Sequence, residues 1–130
     1  MNQLLPPEVV EQIAQEQRHF AVAPDAFFKA WKRGVQIAGP QWFGEGTLDG
    51  LNKAQDKWDL CPDVPRISKA IGVMSGGERM FLAAMVSFYN ERKGGALLKR
   101  CGFHGLADFS GLDLQRRKVI AELVLHYSGW

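Results

Sequence analysis

A carboxylate set between two glycines, just after two aromatic rings, is the first place in this chain to look for chemistry. Glu45 lies in the stretch Gly39-Pro-Gln-Trp-Phe-Gly-Glu-Gly46, with Trp42 and Phe43 before it and Asp49 four residues on. A carboxyl beside aromatic rings keeps its proton to higher pH, and a second carboxylate nearby completes the acid–base pair of glycoside hydrolysis. A small enzyme centred on residues 39–46 is therefore one reading of the loop. An exposed loop glutamate is the plainer one. Three glycines and a proline predict a loop, and function gathers on loops. Trp42, Phe43 and Glu45 are better suited to contact a protein partner, because tryptophan is enriched at binding hot spots. The competing expectation is that the two rings plug the core.

Other reactive residues form no recognisable set. His19, His104 and His126 are scattered, and Cys61 and Cys101 make no C-x-x-C pair. Cys101 and His104 stand three apart without a second pair, so neither a metal centre nor a cofactor is expected. No G-x-S-x-G elbow occurs, and Ser75 and Ser110 read as helix caps. The sequence thus reads as non-enzymatic. The segment Met-Asn-Gln-Leu-Leu-Pro-Pro has neither the basic start nor the apolar run of a leader peptide. A cytoplasmic protein with free thiols is the expectation; a Cys61–Cys101 disulfide is the alternative. No membrane association is expected, because no apolar run reaches the about 20 residues that cross a bilayer.

Ser75-Gly-Gly-Glu-Arg79 resembles the signature of ABC ATPases, a Ser-Gly-Gly helix start that binds the γ-phosphate of ATP. That family also needs a phosphate loop, G-x-x-x-x-G-K-[ST]. Gly39 to Gly44 and Gly72 to Gly77 have the glycine spacing, but neither is followed by a lysine. The segment is therefore read as a capping box, with Ser75 and Glu78 each satisfying a free amide at the start of a helix.

Charge offers a second functional reading. The net charge of +2 conceals an asymmetry: residues 1–65 carry six basic and nine acidic side chains, whereas residues 66–130 carry ten and five. Lys99, Arg100, Arg116, Arg117 and Lys118 stand on neighbouring predicted helices and would neutralise phosphates if they met on one face. The alternative function is thus nucleic-acid association through the basic C-terminal part. Leu97 to Asp108 is similar to a helix-turn-helix unit with its turn at Gly102. Its second helix, however, would be short and without basic or amide side chains to read bases.

The elements that must position these residues are helical. Hydrophobic residues at 46% and charged residues at 23% suit a soluble globule, and 130 residues suit one domain. No segment alternates β-formers with period two. The expectation is an all-α single compact domain, residues 1–130, of about six or seven helices around a central buried helix at about 75–93. That helix is apolar on nearly every side from Phe81 to Tyr89, as a core helix is, and Gly94-Gly95 is read as its stop. Before it, helices are predicted over 7–20 (with a stripe of Val9, Val10, Ile13 and Phe20), 24–38, 47–58 (Leu48, Leu51, Ala54 and Trp58 inward) and 65–73. After it come a short helix at 96–101 and a last one at 112–127, with Val119, Ile120, Leu123, Val124 and Tyr127 inward. Without a catalytic set or cofactor fingerprint, the first reading of function is a small helical binding module that acts on a protein partner, with Trp42 and Trp130 as plausible anchors.

Overall fold

Two helix pairs carry the fold. The computed structural model describes residues 4–130. Residues 1–3, where the absence of a leader was read, lie outside the described residues. Among these residues the molecule is all-α, with six α-helices, four short 3-10 turns and a single isolated bridge between Phe43 and Pro62. The helices are α1 (Pro7–Ala38), α2 (Leu48–Lys53), α3 (Val64–Ala70), α4 (Gly76–Tyr89), α5 (Glu91–Arg100) and α6 (Leu114–His126). α1 packs mainly on α6, and α4 mainly on α5; weaker α1–α4 and α4–α6 contacts join the pairs.

The centre is where the sequence places it. Phe81 to Val86 on α4 are all buried, against Trp31 and Val35 of α1, Ile67 of α3, Leu97 of α5 and Leu123 of α6. Ser75 caps the helix, its hydroxyl accepting from the Glu78 amide at 3.4 Å. The helix nevertheless ends at Tyr89, not at the glycine pair. Asn90 takes an extended conformation and starts α5, its side chain accepting from the Lys93 amide at 2.9 Å. Gly94 then lies inside α5, where it lets that helix cross α4 at contact distance. A Cβ there would meet the Ser87 Cα at 2.2 Å.

A second difference concerns α1. The sequence predicts two helices with a break at 21–23, yet α1 runs unbroken for 32 residues with Pro24 inside it. A proline removes one backbone bond and normally kinks a helix. Here the carbonyl it leaves free belongs to Phe20, and Phe20 and Pro24 are both exposed, so water can take that bond. Both sides of the proline are also fixed by packing. His19 hydrogen-bonds the Leu125 carbonyl at 2.8 Å, and Ala23 and Phe27 are buried.

The third difference is the helix predicted over 47–58. Thr47 caps α2 as expected, accepting from the Gly50 amide at 2.9 Å, but α2 stops at Lys53. Asp56 captures the amides of Trp58 and Asp59 and starts a separate 3-10 turn, Lys57–Leu60. Of the four residues predicted to face inward, Leu51 is buried and Ala54 packs partly on the core, whereas Leu48 and Trp58 are exposed.

Candidate functional site

The loop after α1 is pinned at both ends. Gly39 closes the helix through its amide and the Val35 carbonyl, and Pro40–Trp42 forms a 3-10 turn. Gly44 then donates to the Cys61 carbonyl at 2.9 Å, and the Asp63 amide donates back to the Trp42 carbonyl at 2.8 Å. Gly44 has φ of 58°, and a Cβ on it would sit 2.3 Å from the Asp59 carbonyl oxygen, so no other residue fits.

This clamp drives Phe43 into the core. It is 2% exposed, with its ring edge-on to Trp31 at 5.7 Å. The expectation that Phe43 contacts a partner is corrected: its surface is already used by the core. Trp42 is half-buried, with the Arg66 guanidinium over its ring at 5.4 Å. It lines a cavity of about 350 Å³ together with Gln41, Met74, Glu78 and Arg116. Glu45 is exposed and lies over Gly50, while Asp49, the carboxylate four residues on, is paired with Lys53 at 2.9 Å.

The basic residues are largely occupied. Arg116 pairs with Asp113 at 2.5 Å and lies over the Phe81 ring, 5.7 Å from its centre. Arg117 donates to the carbonyls of Leu112 and Ser110 and so closes the turn that leads into α6. Arg100 donates to the Ser68 hydroxyl at 2.9 Å. Lys99 and Lys118 are exposed and make no ion pair among the described residues. Lys99 and Arg100 end α5 on the α4 pair, whereas 116–118 start α6 on the α1 pair.

Two features were not legible in the sequence. The first is an overhang. The end of α6 meets α1 at His19, where His19 and His126 stack with ring centres 5.1 Å apart. From Pro7 to Arg18 only Val9 and Ala14 are even partly covered. Yet Ile13 and Phe20 stand fourteen and seven residues before Phe27, along the same helix face. Phe27 is 3% exposed, whereas Ile13 is 41% and Phe20 54% exposed. Val124 and Leu125, at the free end of α6, are also exposed. The stripe was visible in the sequence; the lack of a covering helix was not.

The second is an aromatic box. Lys57 places its ammonium 5.3 Å from the ring centres of both Trp58 and Trp130 and 5.6 Å from that of Phe27. It donates to the Gly129 carbonyl at 2.7 Å. Burial pushes its pKa down from the usual lysine value. The box opens on a cavity of about 450 Å³ whose walls include Pro24, Phe28, Asp25 and Asp56. It draws on α1, the Lys57–Leu60 turn and residues 128–130; only the Lys57-Trp58 adjacency shows in the sequence. Trp130, read from the sequence as an anchor for a partner, also packs edge-on to Trp31 at 4.8 Å and so closes the core.

The thiols of Cys61 and Cys101 are free, and burial pushes both pKa values up, away from the reactive thiolate. Among the described residues no three His, Cys, Asp or Glu side chains gather as a metal site, and no helix is long and apolar enough to cross a membrane. No protein-family model matches the chain, and neither a curated protein nor a solved structure matches it.

Proposed function

We propose that this chain is a protein-binding module whose contact surface is the overhanging first half of α1, extended by the exposed end of α6. The observation that carries this reading is the shared register of Ile13 and Phe20 with the buried Phe27. An apolar helix face that leaves its own core uncovered suits the apolar face of another helix. Trp42, half-buried under Arg66, is a weaker anchor than these residues.

Charge selects the kind of partner. Glu16 borders the stripe, and Glu8 and Glu11 lie farther round the same overhang, against the single cation Arg18, which Glu11 already holds at 3.0 Å. Two copies of this surface would set one acidic overhang against another. A basic amphipathic helix of a different protein meets both the stripe and the acidic character of the overhang.

A photo-crosslinking residue at Gln17 tests this in the native cell. The expected product is an adduct with another protein that disappears when Ile13→Asp and Phe20→Asp are introduced together, while the thermal midpoint hardly moves. An adduct of twice the chain's own mass, or one that persists in the double variant, would overturn the reading.

A further inference from the structure

The aromatic box is already filled by a cation, and that cation belongs to the chain itself. We propose that the cavity beside Lys57 is a binding site for an organic ammonium group, with the Lys57 side chain as its resident occupant and the ligand's head group as its competitor.

Three rings at 5.3 to 5.6 Å surround one position, and the Gly129 carbonyl points at it. Rings placed in this way attract a cation through their quadrupoles, most strongly when it is stripped of water. The box therefore selects for positive charge, whatever molecule supplies it. The adjoining space, about 450 Å³, falls in the range of small-ligand sites. Its apolar wall of Pro24 and Phe28 suits the body of a ligand, and Asp25 and Asp56 place two carboxylates on the rim. Asp25 makes no ion pair among the described residues. Trp58 is 58% exposed at this opening, unusual for so large a ring unless it meets something.

Lys57 can leave at small cost. Its backbone is fixed, because the carboxylate of Asp56 holds the amides of Trp58 and Asp59. Only the four-carbon arm has to swing into solvent, where an ammonium is well hydrated. A quaternary ammonium suits the vacated box better than the lysine does. It has no N–H bonds to lose, and its methyl groups sit against the rings.

The test follows the indole N–H signals of Trp58 and Trp130 by NMR during titration with choline, with its neutral isostere 3,3-dimethylbutanol, and with a short peptide containing trimethyllysine. The expected result is saturable binding of the charged ligands, with the neutral isostere weaker by about tenfold or more. Tighter binding by the peptide than by choline would identify a protein side chain as the source; the reverse would identify a free small molecule. Lys57→Met, which keeps the apolar stem and vacates the box, is expected to bind choline about tenfold more tightly than wild type. Trp58→Ala is expected to abolish the binding. Equal binding of choline and its isostere, or the absence of saturable shifts in both wild type and Lys57→Met, would overturn the proposal. The wild-type titration alone decides the matter if the variants do not fold.

Discussion

Gly94 of α5 and Ser87 of α4 approach so closely that a Cβ on the glycine would lie 2.2 Å from the Ser87 Cα and 2.3 Å from its amide nitrogen. Both of these are backbone atoms and cannot rotate away. Gly95, the next residue, meets nothing within 4 Å. The two neighbours should therefore respond in opposite directions to the same substitution. Gly94→Ala is expected to cost about 1–3 kcal/mol through overpacking. Gly95→Ala, in an open helix interior, is expected to gain about 0.5–1 kcal/mol. Urea denaturation of the two variants checks this, and equal effects would contradict the crossing geometry.

The two rings of the loop after α1 should separate in the same way. Phe43→Ala empties a buried position and is expected to cost about 3–5 kcal/mol. Trp42→Ala should cost clearly less, because its ring is half-exposed under Arg66. Equal losses would place Trp42 in the core as well.

Arg117 and Lys118 are adjacent, but only the arginine has structural work. Removing its bonds to the carbonyls of residues 110 and 112 should cost about 1–2 kcal/mol in Arg117→Ala. Lys118→Ala should stay within about 0.5 kcal/mol of wild type. A test of nucleic-acid binding is therefore cleaner with Lys99 and Lys118 changed together than with 116–118. A loss of binding there cannot be confused with a loosened α6.

Acid should weaken the turns around α6. Backbone N–H groups of His104 and Gly105 hold the Asp108 carboxyl below its usual value of 3.8, and that of Arg116 does the same for Asp113. A carboxylate whose folded pKa is depressed contributes stability that is present above the unfolded value and lost as pH falls through the folded one. The thermal midpoint should therefore fall below about pH 3.8. In Asp108→Asn and Asp113→Asn that acid limb should be shallower, which thermal melts across pH 2–6 would show.

Much of the fold was legible because its signals are local. Thr47, the first residue of the helix predicted over 47–58, and Ser75 cap their helices, whereas Ser110, read as a cap, lies inside a 3-10 turn and Asp113 caps α6 instead. Phe81 to Val86 show their burial by being apolar on every side. What was not legible depends on which element lies against which. Gly94-Gly95 looks like a helix stop until α4 is seen against Gly94, and Pro24 looks like a break until Leu125 of α6 is seen to hold one flank and the rings of Phe88, Tyr127 and Trp130 the other. Val124 extends the apolar face of α6 and is nevertheless exposed, whereas Tyr127, just past the end of that helix, is partly open to water but lays its ring against Phe27 and Phe88. The same rule governs the sites. Phe27, Lys57 and Trp130 meet only through the fold, and no spacing in the sequence announces the box they build.

The overhang also makes a prediction about local opening. Residues 11–18 are held by helix propensity and one exposed ion pair, which contributes little. Their amides should exchange with deuterium much faster than those of residues 27–38, and the difference should shrink when a partner covers the stripe. Uniform protection along α1 would show that the first half is not left uncovered.

The pairing of α1 with α6 sets an order of events in time. His19 finds Leu125 across 106 residues of chain, whereas α4 and α5 are joined through a single residue, Asn90. Local pairs close early, and distant ones wait until the intervening loop can be closed. As the chain leaves the ribosome, Phe27 and Trp31 emerge long before Tyr127 and Trp130, whose rings help to cover them. For that interval more of α1 than its permanent overhang offers an apolar face to whatever is near. α1 is made well before the helix that completes its packing, and until then the growing chain depends most on shielding along the surface that the folded protein keeps half open.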